Sequence, residues 1–131
     1  MRHSAIRLDG RTGLKTLAAV YRLAATVLST DTGPMHIAAA LGTPVVALFG
    51  PTAPWRTGPH GKEHTVLRIP LNCSPCFRKR CLTTQYEAMA CMNRITADQV
   101  VDAVLRKANS ILTSRGPKQR LLFPDRLCRS R

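Results

Sequence analysis

The sequence predicts an α/β fold built on a parallel sheet with helices on both of its faces. Three observations predict it. Residues 26–30 and 44–49 are short, apolar, β-branched runs of the kind found in buried strands. The stretch between them, 35–41, reads as a helix, short for a crossover. Two longer amphipathic stretches, 14–25 and 96–108, stand before and after this core. Strands separated by helical segments cannot pair as hairpins, so they pair in parallel, and ligands then gather outside their carboxyl ends.

Each element has a local cause. Residues 1–13 carry Gly10 and Gly13 and no periodicity. In 14–25 the apolar positions Leu14, Leu17, Ala18, Tyr21, Ala24 and Ala25 recur at three and four, which makes one helix face. Val27 and Leu28 centre the first strand. Asp31-Thr32-Gly33-Pro34 interrupts it. Pro34 suits the first turn of the next helix and Gly42 its end. Val45, Val46 and Ala47 form an unbroken apolar run, as a strand covered on both faces requires. Gly50-Pro51-Thr52-Ala53-Pro54 reads as a loop, 64–69 as a third short strand, and 71–93 as irregular. Thr96 stands three residues before Gln99, as in a capping box, and opens a helix with Val100, Val101, Val104 and Leu105 as its stripe. The expected organisation is one domain over 1–108 and a basic, poorly ordered tail over 109–131.

The charge bounds the function. Twenty Lys and Arg against seven Asp and Glu give +13, which favours anionic partners: phosphorylated substrates, a membrane surface or nucleic acid. The cations flank a nearly uncharged middle, since residues 23–55 carry only Asp31. No apolar run approaches membrane-spanning length, and the polar N-terminus lacks a signal-peptide pattern, so a cytoplasmic location is expected. Five cysteines then read as reduced thiols. Nucleic acid is not the expected partner, because aromatic residues are only 5% and form no stacking rows.

The turn at residues 30–36 has the composition of a phosphate site. Gly33 lets an anion approach the backbone. The helix start offers free N–H groups and a favourable dipole. The Thr32 hydroxyl can donate to a phosphate oxygen or cap the helix. His36 lies one turn further. Asp31 repels phosphate and suits sugar hydroxyls better. Each residue alone has a plainer role: an N-cap for Asp31 or Thr32, a turn for Gly33-Pro34, a surface histidine for His36. Asp-Thr-Gly also marks aspartic proteases, but one copy followed by a helix cannot make their two-carboxylate dyad.

The stretch VLSTDTGPMHIAAALGTPVVALFGPT, residues 27–52, resembles the lipopolysaccharide heptosyltransferases. The resemblance extends back through Arg11 to Ala19, and forward through Trp55, Arg56, Gly58, Pro59 and Cys73-Ser74-Pro75-Cys76. It implies a Rossmann-like parallel sheet, part of the C-terminal donor domain of a two-domain GT-B glycosyltransferase. It implies an inverting transfer of heptose from ADP-heptose, or a related nucleotide-sugar, to the lipopolysaccharide core or lipid A acceptor. By motif position, Asp31 would hold the sugar. Thr32, Gly33 and His36 would contact the diphosphate, with Pro34 and Met35 shaping the turn. Gly50, Pro51 and Thr52 would line the same cleft. The general base would belong to an acceptor domain that this chain lacks, together with the first strand–helix units of the donor domain. The expected consequence is a fragment, inactive alone, with an exposed sheet edge. A peripheral place on the inner membrane surface fits both acceptor and charge.

Cys73, Cys76, Cys81 and Cys91 follow C-x2-C-x4-C-x9-C, a spacing that admits a structural zinc ion, although the transfer scheme requires no cofactor. Reduced cysteines packing a loop explain the same pattern. Two further functions compete with transfer: a nucleotide-sugar-binding module without catalysis, and a basic zinc-containing nucleic-acid-binding domain.

Overall fold

The computed structural model describes residues 5–114. Eight elements follow in order: α1 (Leu14–Leu23), β1 (Val27–Thr30), α2 (Gly33–Ala40), β2 (Val45–Phe49), α3 (Pro54–Thr57), β3 (Thr65–Arg68), α4 (Ala90–Asn93) and α5 (Ala97–Ser114). The sheet is parallel throughout, in the order β1-β2-β3. The register pairs Val27 with Val45, and Val46 with Thr65.

Side chains alternate across a sheet, so β2 divides the core in two. Val45, Ala47 and Phe49 face Met35 and Ala38 of α2, together with Val27, and all are buried. Tyr21 and Ala24 pack on this cluster from the side, while α1 itself has no fully buried residue. Val46 and Leu48 point to the opposite face. There α5 packs across β2 and β3, forming a groove with Thr65 and Leu67. Helices therefore cover both faces, as expected. They cover them diagonally: Leu28 of β1 is left 48% exposed and Val66 of β3 39% exposed.

The ends of α2 show why it is short. Pro34 occupies its first turn. At the other end Gly42 has φ +72°, its N–H donates to the Ala39 carbonyl, and the Thr43 N–H donates to the Ala38 carbonyl. That pair of bonds is a Schellman stop, which glycine makes without strain. Thr43 is buried, and its hydroxyl donates to the Tyr21 carbonyl, closing the end of α1. His64 serves the sheet: its Nδ1 accepts the Val45 N–H at 3.2 Å.

Two expectations need correction. The stripe of α5 is Val100, Ala103 and Val104, whereas Val101 and Leu105 are each 55% exposed. Both lie two residues from buried Ala103, roughly 200° around the helix, and so point away from the sheet. The helix also continues past residue 108 to Ser114. The capping box at its start is present: the Thr96 N–H donates to Gln99 Oε1 at 2.9 Å, and the Gln99 N–H to Thr96 Oγ1 at 3.3 Å. The tail beyond 114 lies outside the described residues. Among the described residues, no helix is long and apolar enough to cross a membrane.

Candidate functional site

β1 and β2 end side by side, since Thr30 pairs with Leu48. The loops that follow them therefore meet at one edge of the sheet. After β1 come Asp31 and Thr32, and Thr32 is the extended residue preceding α2. Its hydroxyl makes no cap bond and lies instead 3.3 Å from the Ser29 hydroxyl and from the Thr30 carbonyl. It is exposed and can turn toward an incoming oxygen. Pro34 has no N–H, and the Met35 N–H donates back to the Thr32 carbonyl at 3.1 Å. The Gly33 N–H, at the helix start, has no intrahelical acceptor. Thr32, Gly33 and His36 are all exposed at this turn. Met35 lies beneath, wholly buried.

Gly33 needs no glycine for its own fold. A Cβ there would meet nothing within 4 Å, and its φ is not positive. The open space lies on the outside of the turn.

Asp31 is half-buried, and its Oδ2 accepts the Thr57 hydroxyl at 2.9 Å. The sequence pattern missed Thr57, because four-residue α3 is too short for any periodicity. The nearest signal was Gly58: a Cβ there would collide with the Pro54 carbonyl oxygen, so glycine closes α3 and fixes Thr57. The bond engages one of the two carboxylate oxygens.

The Gly50-Pro51-Thr52 loop is placed differently from Asp31. Gly50 is buried, and a Cβ on it would stand 2.6 Å from Met92 Sδ and 3.2 Å from Cys91 Sγ. A side chain there would displace the Met92 side chain of α4. The Ser74 hydroxyl donates to the Gly50 carbonyl at 2.6 Å, and the Cys76 and Phe77 N–H groups donate to the Pro51 carbonyl. These bonds seat the cysteine loop on the end of β2. Pro51 and Thr52 are half-buried.

A glycosyltransferase family 9 (heptosyltransferase) sequence profile matches residues 1–87. The chain belongs to glycosyltransferase family 9. Among its relatives, lipopolysaccharide heptosyltransferase 1 of Pseudomonas aeruginosa is 41% identical over 71 residues, 54% of this chain and 20% of that protein. Lipooligosaccharide heptosyltransferase 2 of Campylobacter jejuni is 31% identical over 96 residues, 72% of this chain and 29% of that protein. Lipopolysaccharide heptosyltransferase 2 of Escherichia coli is 37% identical over 62 residues, 47% of this chain and 18% of that protein. The chain thus matches less than a third of the length of these relatives. No solved structure matches it.

The family 9 match contains Cys73, Cys76 and Cys81 and stops before Cys91. All four line one cavity of about 320 Å³, with Pro51, Arg78, Leu82 and Met89. Burial first, then the neighbouring thiols of Cys76 and Cys73, push the Cys91 thiol up. Backbone hydrogen bonding at Met89, then Thr83, pulls the exposed Cys81 thiol down. Among the described residues, no three His, Cys, Asp or Glu side chains are placed to hold a metal ion, so the spacing that admits zinc is not assembled into a ligand set. Cys128 lies outside the described residues. Glu87 and Arg94 pair at 2.7 Å and fasten the loop before α4, holding the Glu87 carboxyl down at about 2.

Proposed function

We propose that this chain forms the donor side of a heptosyl-transfer site, taking ADP-heptose or a related nucleotide-sugar. One observation carries the reading: Asp31 is fixed by Thr57 at the carboxyl end of β1, beside the open start of α2. The free carboxylate oxygen of Asp31 accepts hydrogen bonds from sugar hydroxyls. The Gly33 amide, the Thr32 hydroxyl and His36 meet the diphosphate. Negative charge grows on the leaving diphosphate as the glycosidic bond breaks, and donors already aimed at it lower the barrier. The acceptor, the lipopolysaccharide core or lipid A, attacks the opposite face of the sugar, so the anomeric centre inverts. Its general base is not among these residues. The resemblance assigns that base to an acceptor domain. Pro51 and Thr52 line the same cleft, whereas Gly50 is covered and supports them from beneath. A place on the inner membrane face suits an enzyme of a phosphorylated lipid and a chain of charge +13.

Calorimetric titration with ADP and with ADP-heptose tests this. The sugar-nucleotide should bind more tightly than ADP alone. Asp31→Ala should remove that advantage, and His36→Ala should weaken both ligands by about tenfold, roughly 1.4 kcal/mol. Wild-type affinities in both variants would refute the assignment. A second reading, binding without transfer, rests on the absence of a base among the site residues. Product formation by the chain with lipid acceptor excludes it.

A further inference from the structure

No Asp or Glu occurs between Glu63 and Glu87, whereas Arg68, Arg78, Lys79 and Arg80 do. Residues 76–82 are all exposed. An exposed basic loop is ordinary, but this one also exposes large apolar groups. Phe77 is 52% exposed, Leu82 66%, Met89 41% and Trp55 72%. Contacts join them in two groups. Leu82, Met89 and Arg78 line the same cavity wall. The Arg56 guanidinium stands 5.6 Å from the Phe77 ring centre, and Arg56 adjoins Trp55 in the chain. Phe77 and Met89 hold positive φ angles, 54° and 60°, an arrangement bulky residues rarely adopt.

Large apolar tips alternating with cations fit a lipid interface. The tips enter the headgroup layer, the cations pair with phosphates, and tryptophan prefers that depth. A nucleic-acid strand would need aromatic faces free for stacking. Here Arg56 covers the Phe77 ring, and Arg68 stands 5.3 Å from the Trp55 ring centre. We propose that residues 76–82, with Trp55 and Met89, dock on an anionic lipid bilayer. The Cys76 and Phe77 amides tie this loop to Pro51, and α3 joins Trp55 to Thr57 and thus to Asp31. Docking would set the candidate site against the membrane. The inference rests on the membrane-acceptor reading above but not on donor binding.

Trp55 is the chain's one tryptophan and reports on the patch directly. The full chain should show a blue-shifted emission with phosphatidylglycerol-containing vesicles and none with pure phosphatidylcholine. Brominated acyl chains should quench it. Phe77→Ser with Leu82→Ser should cut vesicle partitioning by about tenfold and abolish the shift, since partitioning follows buried apolar area. Gln at positions 78, 79 and 80 should cut partitioning by ~100-fold, three charges at about 1 kcal/mol each. Binding to vesicles without any change in Trp55 emission would overturn the proposal, because other basic regions would then hold the chain. No binding at all would overturn it too, as would a Trp55 response to single-stranded oligonucleotide in place of vesicles. ADP titration of the same samples separates the two readings: a vesicle shift without ADP binding sinks the donor site and leaves docking intact.

Discussion

Gly33 and Gly58 flank one site and differ in what a methyl group would meet. At Gly58 it meets the Pro54 carbonyl oxygen, a backbone atom that cannot step aside. At Gly33 it meets open space. Gly58→Ala is therefore expected to destabilise the chain by about 1–3 kcal/mol, as overpacking does. It should also loosen Thr57 from Asp31. Gly33→Ala should leave stability unchanged or raise it by a few tenths, since alanine favours helix. Its donor affinity should nevertheless fall. Urea melts and nucleotide titration on the two variants check both halves. A Gly33→Ala protein with full affinity would remove the close backbone approach from the proposed scheme. The place of the motif was legible in the sequence, because an apolar β-branched run followed by Asp-Thr-Gly-Pro marks a strand-to-helix turn. Thr57 was not, because its contact with Asp31 spans 26 positions and nothing local marks it.

The elements were legible in proportion to their pattern. The two apolar runs became β1 and β2 within a residue of expectation; for β2 the reason is burial on both faces, which needs an uninterrupted apolar chain. The Pro34 start and Gly42 stop of α2 were also readable, each being a backbone requirement that one residue type meets. α3 and α4 were not, because four residues make a single turn without periodicity. The stripe of α5 was half misread: four valines and leucines span more of the helix than one contact face can cover, and only the sheet selects which side is buried. Its N-terminal box was readable and is testable. Thr96→Ala should cost about 1 kcal/mol, the usual loss of an N-cap. Equilibrium urea unfolding measures it, and a value near zero would mean that the start of α5 frays in solution.

At the scale of the whole molecule, the sheet has two open edges and an incomplete cover among the described residues. Leu28, Val66, Val101 and Leu105 are exposed on or around it, and α1 buries no residue fully. Apolar surface of this extent weakens cooperativity. The chain alone is expected to melt in a shallow transition and to bind a hydrophobic dye while folded, with ADP steepening the melt. A sharp, dye-free transition would show that the described core suffices by itself. The sequence alone determined the parallel α/β class, the strand-to-helix turn at residues 31–36, and the cationic balance, because each depends on residues adjacent in the chain. Tertiary structure alone decided that Thr57 anchors Asp31, that Gly50 lies buried under α4, and that the thiols of 73–91 share a cavity without forming a metal set. It also placed Leu82 and Met89 on one cavity with Arg78, and the Phe77 and Trp55 rings beside Arg56 and Arg68. Those outcomes depend on which loops meet at the ends of β1 and β2, and packing distances, not neighbouring residue types, set that meeting.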